Sequence, residues 1–129
     1  MIDERAWLAA WGKPDYEAIR ALSADDLEVT AVTATIKPRH YAGRDAAVRW
    51  LSELRDRLRA DWSATKLTGL ADDAIVVEGE LCFGDPATTG AERQSYAVLM
   101  RLREDKVRWI GTFVTLEAAR EAWERGVGA

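Results

Sequence analysis

One cysteine, Cys82, and one histidine, His40, are all the sequence has of the two residue types that most often hold metals. No internal disulfide can form, and a reducing compartment is the expectation. A zinc site of the Cys/His kind is excluded within one chain, and neither a metal nor a cofactor is expected. No apolar run approaches the roughly 18 residues of a membrane-spanning helix. Met1 to Arg5 carries acids and lacks the basic and apolar regions of a secretory leader, so the expected location is the cytoplasm. No basic block exists either: 18 basic and 22 acidic residues are interspersed, for a net charge of −4. That balance gives no footprint for a nucleic-acid backbone, and no basic amphipathic helix points to a membrane surface.

What is present is a globular balance, with 48% apolar and 31% charged residues in 129. The length suits one core, so residues 1–129 are read as a single domain. Six tryptophans are many for so small a core, which points some of them to a cavity wall or a subunit contact.

Periodicity predicts a short helix over residues 3–11, with Ala6, Trp7, Ala10 and Trp11 on one stripe and Gly12 at its end. Pro14 opens a second helix carrying Tyr16, Ile19 and Leu22. Ser23 to Asp26 reads as turn chemistry, Leu27 to Ile36 as a strand, and Lys37 to Gly43 as a loop. A longer helix follows over about 44–60, with Ala47, Val48, Leu51, Leu54 and Leu58 as its buried stripe. Four strands come next: Ser63 to Leu70, Ala74 to Phe83, Glu92 to Arg103 and Val107 to Val114. Ala71-Asp72-Asp73 and Glu104-Asp105-Lys106 are their tight turns, and Gly84 to Gly90 is a looser connection. Thr115 caps a last helix to about Arg125. The order α-α-β-α-β-β-β-β-α places the chain in the α+β class.

This order, with four local stretches, resembles the nuclear transport factor 2-like superfamily. The stretches are Asp15 to Asp26, Tyr41 to Ala47, Ala71 to Glu80 and Arg103 to Val107. The group includes ketosteroid isomerases, limonene epoxide hydrolases, scytalone dehydratases and small polyketide cyclases with SnoaL-like domains. The resemblance implies a strongly curved antiparallel sheet wrapped as a cone around the N-terminal helices, a pocket inside the cone, and a homodimer through the outer sheet face. It does not carry over the ketosteroid isomerase machinery. The phenol on the first helix falls at Trp7, the general base near Ala31, and the acid of the oxyanion hole at Val98.

The residues themselves offer several candidates. Glu78 and Glu80 share one face of a strand, about 7 Å apart. Facing into the cone, they would be a carboxylate pair able to act as acid and base; facing out, they would be surface acids. Ile75, Val77, Leu81 and Phe83 make the other face more apolar, which favours the outward reading, and a bulge at Gly79 could leave one glutamate inside. Tyr96 and His40 are candidate orienting groups, or else a core tyrosine and a loop histidine. Candidate pocket residues are Trp7, Trp11, Thr33, Tyr41, Trp62, Val98, Ile110 and Thr112; plain core packing is the rival for the aromatics. Ala97, Leu99, Trp109 and Phe113 make an apolar, aromatic face opposite to these, the expected homodimer surface. Cys82 is read as an inert strand residue.

Three functions fit these residues. One is a cofactor-independent isomerase, cyclase or hydrolase acting on an apolar substrate. The second is a non-catalytic ligand binder with a vestigial cavity, favoured by the missing acids. The third is a protein-interaction module using the outer sheet.

Overall fold

The computed structural model describes residues 3–31, 39–83 and 92–129. Thr33 and the connection Gly84 to Gly90 lie outside them.

Helix α1 (Glu4–Gly12) starts where Asp3 accepts hydrogen bonds from the amides of Arg5 and Ala6. It buries Trp7, Ala10 and Trp11. Helix α2 (Tyr16–Ala21) is capped by Asp15, which accepts from the Ala18 amide, and buries Ile19. Strand β1 (Ser23–Ala31) then begins four residues earlier than the turn chemistry suggests. Two contacts override the turn signal: the Ser23 hydroxyl donates to the Ile19 carbonyl at 2.7 Å, and the Val107 amide donates to the Leu22 carbonyl at 2.8 Å. Strand β2 (Arg39–Ala42) occupies what reads as loop in the sequence. Its backbone pairs antiparallel with β1, Thr30 opposite His40.

Helix α3 (Ala46–Leu58) buries Ala47, Val48, Trp50, Leu51 and Leu54. Four strands follow: β3 (Ala60–Ala71), β4 (Ala74–Phe83), β5 (Glu92–Arg103) and β6 (Lys106–Phe113). Thr115 accepts from the Ala118 amide and caps α4 (Leu116–Glu124).

The six strands form one sheet in the order β2-β1-β6-β5-β4-β3. Among the described strands, only the neighbours β1 and β6 run parallel. The register shifts in β3 between Ala64 and Lys66 and again between Gly69 and Ala71, and in the β5–β6 pair after Arg101. Such bulges bend and twist strands, and here they curl the sheet. The expected α+β class and curved sheet are therefore observed, with β2 as an added strand.

The two faces of the sheet bury different clusters. On the concave side, Leu27, Val29, Ile75, Val77, Leu81, Val98, Met100 and Ile110 pack against α1, α2 and α3. On the convex side, α4 lays Ala119 and Ala122 on Val76, Ala97 and Leu99. The residues of the expected dimer surface lie on this side. Ala97 and Leu99 have no exposed area within a single chain, and Trp109 and Phe113 are half-buried against the same helix.

Arg101 fastens α4 in place. It is 6% exposed on the convex side, and its guanidinium donates to the carbonyls of Val127 (2.8 and 3.1 Å) and Trp123 (3.3 Å). The carbonyl-rich end of a helix attracts a cation, so α4 serves this buried charge as its counter-group. Desolvation, followed by the neighbouring Arg108, nonetheless pushes the Arg101 pKa down. Gly128 lies flat on the Trp109 indole, and Arg108 donates to its carbonyl at 2.9 Å.

Candidate functional site

Alternation along β4 decides the facing of the two glutamates. Val77 and Leu81 belong to the concave cluster, whereas Val76 packs under α4. Glu78 and Glu80 share the parity of Val76, so both lie on the convex side and not in the cone. The suggested bulge at Gly79 does not occur. The irregularity lies across from it, on β3 at Thr65. Glu80 is ion-paired with Arg93, Oε1 to Nη1, at 2.7 Å. Glu78 keeps one buried oxygen, Oε1, without a hydrogen-bond partner among the described residues. Together with Ser95, Thr115 and Leu116, the two glutamates line a hollow of about 320 Å³ beside the start of α4.

The sequence-derived pocket residues separate into groups. Trp7, Trp11, Tyr41, Val98 and Ile110 lie in the concave core cluster. Thr112 is buried opposite Val98. Tyr96 faces the concave side as expected, and its hydroxyl donates to the Gln94 side chain at 2.7 Å. His40 is exposed on a strand, not a loop. Tyr41 donates to Glu53 Oε2 at 2.6 Å and so ties β2 to α3.

Trp62 is the residue that links this core to an opening. It is 4% exposed and packed in the concave cluster, yet it also lines a cleft of about 740 Å³. The cleft crosses the edge strand β3. Pro14 and Tyr16, at the α1–α2 junction, form one side. Glu80, Cys82 and Arg93, on the convex side, form the other. Arg55 and Asp61, 3.9 Å apart, stand at its rim. A volume of about 300–1,000 Å³ suits a drug-sized molecule.

The indole of Trp62 can lie this way because residue 79 is glycine. A Cβ there would come 2.7 and 2.8 Å from the Trp62 ring and 2.4 Å from the Ser63 carbonyl. The φ of Gly79 is not positive, so space and not backbone conformation requires the glycine.

Of the candidates, Trp62 and Glu80 meet in the cleft, and Glu78 and Glu80 meet at the convex hollow, which Tyr96 borders with its side chain packed in the concave cluster. Arg93, Arg55 and Asp61 are additions that the sequence did not single out. Arg93 lies opposite Cys82, diagonal to Glu80 on the same face, a neighbour relation that appears once the β4–β5 register is known. Among the described residues no group of three or more His, Cys, Asp or Glu side chains could hold a metal ion. No helix among them is long and apolar enough to cross a membrane.

Comparison with known proteins agrees with this architecture. Residues 5–110 match the SnoaL-like domain family, and the chain belongs to it. No curated protein matches the sequence. Among solved structures, the chain is similar to a ketosteroid isomerase-like protein from Catenulispora acidiphila DSM 44928 in complex with trimethylamine. Identity is 19% over 90% of this chain and 87% of that one, with a TM-score of 0.63. It is also similar to a Mesorhizobium loti protein assigned to the SnoaL-like polyketide cyclases, with 11% identity, coverage of 85% and 93%, and a TM-score of 0.65. TerC, co-crystallised with polyporic acid, has 16% identity, coverage of 94% and 95%, and a TM-score of 0.64.

Proposed function

We propose that this protein binds a small, largely apolar molecule in the cleft over β3. The observation that carries the reading is the cleft itself: about 740 Å³, with Trp62, Tyr16 and Pro14 as apolar wall and the ion pairs Glu80–Arg93 and Arg55–Asp61 at its edge. Apolar walls supply affinity, and a few placed polar groups orient the occupant. The crystallisation of TerC with polyporic acid supports a small-molecule role for this fold. Binding is tested by energy transfer from tryptophan to 1-anilinonaphthalene-8-sulfonate. Saturable one-to-one binding is expected, weakened about tenfold by Ser63→Phe, which fills the cleft from an exposed strand position. Absence of saturation, or an unaltered affinity in the variant, contradicts the reading.

A catalytic reading stands second, as a cofactor-independent isomerase, cyclase or hydrolase. The SnoaL-like family and the position of Glu80 in both the cleft and the convex hollow favour it. Glu80 or Glu78 would then be the acid/base, with Tyr96 and His40 as orienting groups. The carboxylate of Glu80 is engaged by Arg93, and Trp7 and Val98 stand where the resemblance puts the phenol and the oxyanion-hole acid of the ketosteroid isomerases, so binding without turnover ranks first. Once a substrate is found, turnover that survives Glu78→Gln combined with Glu80→Gln eliminates the catalytic assignment.

A further inference from the structure

The concave cluster holds three buried hydrogen-bond donors without a partner among the described residues. They are the indole N–H groups of Trp11, Trp50 and Trp62, all buried and none with a partner among the described residues. The two tyrosine hydroxyls nearby already donate, Tyr96 to Gln94 and Tyr41 to Glu53. Both carboxylates of β4 lie on the opposite side of the sheet. Buried polar atoms left unpaired are rare, because each forfeits about 1–3 kcal/mol of hydration. The missing partner is therefore an acceptor that the described side chains do not provide.

Of the three indoles, that of Trp62 bounds the cleft. Resting on this cleft as the binding site, we infer that the Trp62 N–H selects the ligand: it donates to a bare oxygen, a carbonyl or phenolate, carried on an apolar ring system. A hydrocarbon of the same shape leaves the donor unpaired. An ammonium brings a second donor where an acceptor is needed. The N–H is buried in the structure, so donation to a ligand requires the ring to turn, and Gly79, on which the ring rests, sets no side chain against that movement. Trp62 is thus a specificity-determining residue and takes no part in bond making.

Three probes of one shape test this: 1-tetralone, tetralin and 1-aminotetralin. Their affinities are measured by calorimetry on the full chain and on Trp62→Phe, which removes the N–H and keeps an aromatic ring. The ratio of tetralone to tetralin affinity is expected to fall about tenfold in the variant, the size of one hydrogen bond to a buried donor. Comparing ratios cancels the different water-to-protein transfer of the two probes. A second readout needs no variant that must fold: in the wild-type chain labelled with ¹⁵N at the indoles, tetralone moves the Trp62 Nε1–H resonance downfield and tetralin leaves it in place. Binding of all three probes with an unchanged ratio and an unmoved resonance overturns the donor role and leaves the cleft standing, with water as the acceptor. Failure of every probe to bind overturns both.

Discussion

Replacing Gly79 by alanine separates two physical effects of opposite sign. In a site with room, Gly→Ala at an ordinary φ stabilises by about 0.4–1 kcal/mol, because the unfolded chain loses freedom. At Gly79 the new Cβ lands 2.4 Å from the Ser63 carbonyl oxygen and 2.7 Å from the Trp62 ring. Carbon contacts are optimal near 3.5–4.0 Å, so overlaps of about 1 Å must be relieved on both sides. One of them is with backbone, in a strand paired along its length, which cannot yield cheaply. Overpacking of this kind costs about 1–3 kcal/mol. With an unfolding entropy of about 2.1 cal/mol/K per residue, that corresponds to a fall in Tm of about 4–11 °C. Gly69→Ala is the control on the neighbouring strand, since its Cβ would meet nothing within 4 Å. It is expected to leave Tm unchanged or raise it slightly. Scanning calorimetry reads both, and near-ultraviolet circular dichroism reports the displaced indole. A Gly79→Ala protein that melts at or above the wild-type temperature refutes the placement of Trp62 on Gly79.

Four further outcomes are expected. Arg101→Met should cost about 1.5–3 kcal/mol in denaturant titrations, since the Val127 and Trp123 carbonyls lose a charged donor; amide exchange should rise first at the end of α4. Tyr41→Phe should cost about 1–2 kcal/mol by the same assay, through loss of the bond to Glu53. The hydrogen bond from Arg103 holds the Asp26 carboxyl below its ordinary range, despite an opposing desolvation effect. A depressed folded-state value means stability that is present above the unfolded-state pKa and lost as pH falls through the folded one. Arg103→Gln should move the Asp26 titration, followed by carboxyl NMR, back up toward the ordinary value. Finally, α4 covers Ala97 and Leu99 within one chain, so Trp109→Ala should leave the mass measured by light scattering unchanged. A fall in mass would identify the convex face as a subunit contact.

Much of the fold was legible because local signals agreed. Strands β4 and β5 run over Ala74–Phe83 and Glu92–Arg103, as their apolar patterns and flanking turns predict. The caps at Thr115 and the helix over α3 follow from composition in the same way. Strand β2 was not legible. Arg39-His40-Tyr41-Ala42 is short, polar and just past Pro38, and it is a strand only because β1 offers it a partner. Ser23 to Asp26 misled for a related reason: tertiary contacts at Ile19 and Val107 recruit turn-forming residues into β1.

The site was harder to see. Alternation places Glu78 and Glu80 on one face but is silent on which face meets the helices; that depends on α4 choosing Val76, Ala97 and Leu99. Arg93 could not be paired with Glu80 without the register across the β4–β5 connection. Trp62 could be placed on a buried face from its neighbours, but its second role as a cleft wall follows from α1 ending at Gly12, across the edge of β3.

The most direct measurement is calorimetric titration of a small aromatic ketone into the wild-type chain and into Ser63→Phe. We expect one saturable site per chain in the wild type and an affinity about tenfold weaker in the variant. Equal affinity in both proteins, or no saturable site in either, would contradict binding in the cleft over β3.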